Sequence, residues 1–143
     1  MKRFAELRPF DKGWSGDKKY TAADETGGKF LLKICPEENR PGRQQLFAIL
    51  KKLESSGLSM QTPVEQFSCP EGFCTVYRWV EGEELRSALP AYSPDWQYGL
   101  GFRAGEMLKL IHSVPAPDGL PAWEARFNAK IDRKIKMAKD CAE

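Results

Sequence analysis

Lys12-Gly13-Trp14-Ser15-Gly16-Asp17-Lys18-Lys19-Tyr20-Thr21-Ala22-Ala23-Asp24-Glu25-Thr26-Gly27-Gly28-Lys29-Phe30-Leu31-Leu32-Lys33-Ile34 is the stretch from which the fold can be read. Gly13 and Gly16 bracket Trp14-Ser15, and glycine lets a backbone approach a ligand closely or take a positive φ. A tight glycine turn is therefore expected here. Tyr20 to Ala23 reads as a short strand, and Asp24 to Gly28 carries the aspartate-plus-glycine chemistry of a hairpin loop. Phe30 to Ile34 is the returning strand, with Lys33 set among apolar neighbours. A buried cation without an anionic partner is costly, so Lys33 either meets an anion or snorkels to solvent.

Upstream, Phe4 to Phe10 alternates apolar and polar residues imperfectly, and Pro9 favours an edge strand because proline cannot donate to a ladder. Downstream, Cys35 to Gly42 is rich in breakers. A helix is expected from Arg43 to Ser56, since Leu46, Ile49, Leu50 and Leu53 recur at helical spacing and Gly57 can cap the end. That helix should pack on the sheet. Two more strands follow, Val64 to Ser68 and Phe73 to Val80, joined by a turn with Pro70 and Gly72 at favoured positions. In the second strand Phe73, Thr75, Tyr77 and Trp79 share one face and Cys74, Val76 and Val80 the other, the pattern of a strand covered on both sides. Five strands and one helix occupy residues 1–80.

The chain changes character at Glu81-Gly82-Glu83-Glu84-Leu85. Ser93-Pro94 starts a helix, with serine as N-cap and proline at the first helical position. Leu100, Ala104, Met107, Leu108 and Ile111 form its apolar stripe. Gly101 and Gly105, one turn apart, suggest close packing of another element. The prolines after His112 end the helix. After a linker from Val114 to Pro121 comes a last helix, whose stripe is Trp123, Phe127, Ile131, Ile135 and Ala138. Its other faces carry Arg126, Lys130, Arg133, Lys134, Lys136 and Lys139, read as a solvated surface. The chain stops at Glu143 with no cap or breaker, which leads to the expectation of a gene-fragment boundary there.

A length of 143 residues fits one domain of ordinary composition. A net charge of +2 gives no argument for nucleic acid or an anionic membrane. No apolar run approaches the roughly 20 residues of a membrane helix, and the N-terminus from Met1 to Glu6 lacks a signal-peptide core. The expectation is a cytoplasmic protein. Cys69 and Cys74 flank a turn, while Cys35 and Cys141 stand alone; buried thiols are preferred over a cross-hairpin disulfide. There is no CxxC, and His112 is the only histidine, so no metal site is expected. His112 reads as a helix-end residue, without a nucleophile or paired carboxylate beside it.

A loop that can cover phosphates, followed by a strand lysine, is the arrangement with which kinases hold ATP. A P-loop is excluded, because the single Gly-Lys pair, Gly28-Lys29, precedes Phe30 rather than serine or threonine. The run from Lys12 to Tyr20 through Leu32-Lys33-Ile34 resembles the start of an aminoglycoside phosphotransferase-like kinase, of the broad family that includes choline kinases. The helix from Gly101 through Ile111-His112-Ser113 to Pro115 resembles the first large-lobe helix of the same family. The resemblance implies an α+β fold. A protein-kinase-like small lobe at residues 1–80, a five-stranded antiparallel sheet plus one helix, would precede the hinge and first large-lobe helices at residues 81–143. It implies ATP as cofactor, held by Gly13, Trp14, Ser15, Gly16 and Lys33. The backbone of Arg78, Trp79 and Val80 would serve as hinge, with Tyr77 behind the adenine.

The same resemblance marks what the sequence lacks. The family's His-Gly-Asp catalytic loop and later metal-binding aspartate do not occur, so no catalytic or metal-binding residue is assigned here. Mg2+ is expected only in a full-length parent, whose partners would be ATP and a small polar acceptor. The family's helix glutamate, which pairs with the strand lysine, has no counterpart between Arg43 and Leu53. The leading expectation is the nucleotide-binding half of a small-molecule kinase, inactive as this chain alone. The alternative is a non-catalytic nucleotide- or ligand-binding module with the same small lobe. A third is a protein-interaction role for the basic last helix.

Overall fold

A computed structural model describes residues 4–141, so the expectations for Met1 to Arg3 and for the end at Glu143 lie outside the described residues. Five strands, β1 (Phe4–Pro9), β2 (Lys18–Asp24), β3 (Lys29–Cys35), β4 (Pro63–Cys69) and β5 (Gly72–Arg78), form one sheet in the order β1-β2-β3-β5-β4. Every neighbouring pair is antiparallel. The expected sheet and the single helix beside it, α1 (Arg40–Ser55), are present.

The β2–β3 hairpin is closed by Asp24. Its Oδ1 accepts from the Thr26 amide (2.9 Å), the Thr26 hydroxyl (2.7 Å) and the Gly28 amide (2.8 Å), while Gly27 takes φ +84°. Aspartate bonding its own turn backbone is the reason this residue type favours such loops. The imperfect alternation upstream has a physical source: β1 shifts register between Ala5 and Arg8, with Glu6 at φ 55°. That shift is a β-bulge, which puts two consecutive residues out of step.

Alternation then divides the sheet into two faces. Phe4, Ala22, Phe30, Leu32, Ile34, Cys74 and Val76 make the core of one, with Leu32, Cys74 and Val76 fully buried. On the other, register pairs Leu31 with Tyr77, Lys33 with Thr75, and Lys33 with Lys19. β5 is buried continuously from Phe73 to Tyr77, so both its faces are covered, as its two apolar faces predict.

α1 starts three residues earlier than the periodicity suggests. A 3-10 turn at Glu37–Asn39 leads into it, and Pro41 sits in its first turn, where its missing N–H costs nothing. Leu53 is its buried residue, and Gly57 at φ 80° follows its end as expected. Leu46 departs from the expected stripe and stays 38% exposed. The N-terminal end of the helix faces the sheet through Arg43, whose carbonyl accepts from Gln66 Nε2 on β4 (3.0 Å), so the seam is polar there.

After β5 come a short helix, α2 (Leu85–Ala88), and a 3-10 turn at Leu89–Ala91, neither of which periodicity can reveal at such length. α3 (Pro94–His112) begins as expected, with Ser93 Oγ accepting from the Trp96 amide at 3.4 Å. α4 (Trp123–Asp140) is the last element. Neither α3 nor α4 has a buried residue. The packing expected at Gly101 and Gly105 is not found among the described residues: a Cβ at either would meet nothing within 4 Å.

All four cysteines are free. Cys69 pairs in register with Gly72 and Cys74 with Phe67, so the two thiols do not oppose each other across the hairpin. Burial pushes the Cys74 thiol up to about 12. Native protein treated with iodoacetamide is therefore expected to be alkylated first at exposed Cys141, with Cys35 and Cys74 protected until unfolding. Mass spectrometry of peptides over time checks this, and rapid alkylation of Cys74 would contradict the packing.

Candidate functional site

The segment between β1 and β2 is a loop over residues 10–17 rather than the tight turn that two glycines suggested. Gly13 adopts φ 97°, and the Lys19 side chain runs beneath it, 3.8 Å from where a Cβ would stand. The Lys19 ammonium donates to the Ser15 carbonyl at 3.0 Å. A side chain at Gly13 would thus meet both backbone strain and this lysine. Gly16 has neither a positive φ nor a neighbour within 4 Å, and Trp14 stands wholly in solvent. The loop is held from below by Lys19, not by its own glycines.

Lys33 lies on the sheet face beneath this loop, in register with Lys19. Its ammonium sits over the Tyr77 ring, 5.0 Å from the centroid. Burial lowers the Lys33 pKa, the field of Asp17 opposes that, and Lys19 and Arg43 add to the lowering. Burial also pushes the Tyr77 hydroxyl up. Asp17, supplied by the loop, is the acid whose field acts on Lys33. Arg43 Nη2 donates to both Asp17 carboxylate oxygens, each at 2.7 Å, and the Asp17 side chain is 8% exposed. Burial opposes the Arg43 charge, yet Asp17 and Cys35 beside it hold its pKa above the ordinary value. Charge at this corner is reversed relative to the kinase pattern, with the cation on the helix and the acid on the loop.

The other end of the face is built around Trp79. Its amide donates to the Lys29 carbonyl (3.0 Å), and the Arg78 amide to the Thr62 carbonyl (2.9 Å). Both N–H groups are thus committed within the protein, and exposed Val80 is the next residue of the expected hinge. Phe10 meets the Trp79 ring edge-on, with centroids 5.6 Å apart. Beside them an open cavity of about 340 Å3 is lined by Thr21, Ala23, Lys29, Phe30, Trp79 and Glu81, among others. Lys29 and Glu81 form an exposed ion pair across it. Lys12 pairs with Glu84 at 2.9 Å, tying the loop to the segment after β5. Both pairs are solvent-exposed and contribute little to stability.

The fold thus brings Gly13, Ser15, Lys33 and Tyr77 to one corner and Trp79 and Val80 to the far end. It leaves Trp14 pointing away and gives Gly16 no required role. Asp17, Lys19 and Arg43 were missed by sequence reasoning. Only the adjacency of Asp17 to the glycine loop hinted at them. Among the described residues no group of three or more His, Cys, Asp or Glu side chains comes together. No helix among them is long and apolar enough to cross a membrane.

Comparison with known proteins gives three findings. The model of the phosphotransferase enzyme family matches residues 6–142. A search of curated proteins finds no match. Among solved structures, the fold is similar to that of an aminoglycoside phosphotransferase, APH(2")-IIa, in its ternary complex with streptomycin and ATP. The TM-score is 0.62 at 21% identity, over 95% of this chain and 46% of that one. This chain spans less than half the length of that structure.

Proposed function

The chain belongs to the phosphotransferase enzyme family, and on that premise we propose that it forms the nucleotide-binding side of an ATP-dependent small-molecule kinase. Residues 1–80 act as the nucleotide-binding lobe, and residues 81–143 as the hinge with the first helices of a second lobe. The observation that carries this reading is Lys33, a half-buried cation on the sheet face below a lysine-pinned loop, with its ammonium over the Tyr77 ring and the field of Asp17 acting on it. Such a group gains most when a polyphosphate supplies the missing negative charge. APH(2")-IIa, whose solved complex holds ATP, shares the fold that carries this face.

In this reading Lys33 and the Gly13–Gly16 loop hold the phosphates. Tyr77 supports the Lys33 stem, and the segment from Val80 onward meets the edge of the base. ATP, when bound, supplies the γ-phosphoryl group, and the acceptor is a hydroxyl of a small polar molecule.

Positioning a base for the acceptor hydroxyl is commonly worth ~10²–10⁴-fold in rate, and no His-Gly-Asp loop occurs in the sequence. The purified chain is therefore expected to show no phosphoryl transfer from ATP to aminoglycosides or amino alcohols. A radiolabel transfer assay checks this. Turnover that disappears in Lys33→Met would mean that these residues contain a complete catalytic centre.

A further inference from the structure

We propose that Arg43 is a second polyphosphate-binding residue and that Asp17 is its internal placeholder, an intramolecular anion that a bound polyphosphate displaces or joins. The inference rests on the nucleotide-binding reading above, and deepens it by naming a ligand group on α1.

Three cations, Lys19, Lys33 and Arg43, act on one corner of the sheet face, and the acid coupled to that corner is Asp17. Asp17 is the carboxylate whose field acts on both Lys33 and Arg43. The cations come from three separate elements. Register sets Lys19 beside Lys33, and the Asp17 ion pair brings Arg43 to the loop. Lys19 is already anchored to the Ser15 carbonyl, which keeps its charge at the loop. Arg43 is anchored as well, through its carbonyl to Gln66, whose amide nitrogen also donates to Thr75 Oγ1 at 3.0 Å.

The geometry of the ion pair matters most. Both Asp17 oxygens are met by one Arg43 nitrogen, Nη2, rather than by the parallel two-nitrogen fork that arginine offers a planar carboxylate. Guanidinium carries five N–H donors, so this arrangement commits only part of its capacity. A polyphosphate presents several acceptor oxygens and more negative charge than one carboxylate, and arginine suits it better than lysine does. Asp17 stabilises the cation cluster when no ligand is bound and competes with the ligand for it.

Inorganic tripolyphosphate is the probe, because it engages the phosphate corner without a base. Calorimetric titration into the full chain is expected to show Asp17→Asn binding it about tenfold more tightly than wild type, and Arg43→Gln about tenfold more weakly. Asp17→Glu, which keeps the charge, should remain near wild type. Tightening by Asp17→Asn overturns the idea that Asp17 is only a structural partner of Arg43. If ATP binds through Lys33 while Asp17→Asn leaves tripolyphosphate binding equal or weaker, the placeholder is wrong and the nucleotide reading stands. If neither ATP nor tripolyphosphate binds wild type or Asp17→Asn, both fall together. Should Asp17→Asn fail to fold, Arg43→Gln decides alone, and unchanged tripolyphosphate affinity in it overturns the proposal.

Discussion

Replacing Gly72 by alanine is expected to cost about 2–6 kcal/mol of stability, combining ~1–3 for a strained backbone with ~1–3 for forced overpacking. Gly72 opens β5 at φ +132°, a region that L side chains rarely adopt. A Cβ there would lie 2.2 Å from the Cys35 carbonyl oxygen at the end of β3. The obstacle is backbone, so no rotamer change relieves it. The affected edge joins the two halves of the sheet, where Cys35 pairs with Phe73. A drop on the order of 10 °C in the thermal midpoint is the expected reading by calorimetry. A variant within 1 °C of wild type would mean that the β3–β5 junction is not packed as described.

Lys33→Met is expected to separate stability from binding. Burial lowers the Lys33 pKa, so the ammonium is disfavoured in the folded state relative to the unfolded chain. The sign follows from linkage. Below its lowered folded pKa, Lys33 is charged in both states and the fold bears the full penalty. As pH rises through the window between that value and the ordinary 10.5, the unfolded chain holds more protons and stability increases. Lys33→Met keeps the stem over Tyr77, so near neutral pH it should leave stability equal or slightly raised. It should also abolish the alkaline gain. Denaturant unfolding at several pH values checks both. A marked loss of stability would assign Lys33 to the structure of the lobe instead of to its ligand.

The sheet was legible because its signals are local. Alternation marks the strands, and Asp24 with Gly27 and Gly28 marks the hairpin, since the aspartate carboxylate bonds residues two and four positions on. The lysine strand was legible for the same reason, and the demand that Lys33 meet an anion follows from elementary electrostatics. Which anion was not legible. The family pattern places an acid on α1, whereas here the acid is Asp17 on the loop and the helix supplies Arg43, 26 residues away. A pairing of that range leaves no periodic trace. Two readings failed where sequence pattern depends on a partner. Leu46 lies at helical spacing but stays 38% exposed, while Arg43 one turn earlier makes contact with the loop through Asp17. Gly101 and Gly105 suggested close packing on α3, yet no neighbour approaches either among the described residues. At the expected hinge of Arg78, Trp79 and Val80, the Arg78 and Trp79 amides donate to the Thr62 and Lys29 carbonyls, contacts with no local trace in the sequence.

In the proposed function Lys33 is the phosphate clamp of this fold. Isothermal titration of ATP into wild type and Lys33→Met tests it most directly. A charge-assisted hydrogen bond contributes about 1.5–3 kcal/mol, a factor of roughly ten to a hundred in affinity. The predicted result is weak wild-type binding, about millimolar, lost by at least tenfold in Lys33→Met. Micromolar binding that Lys33→Met leaves unchanged would contradict the assignment.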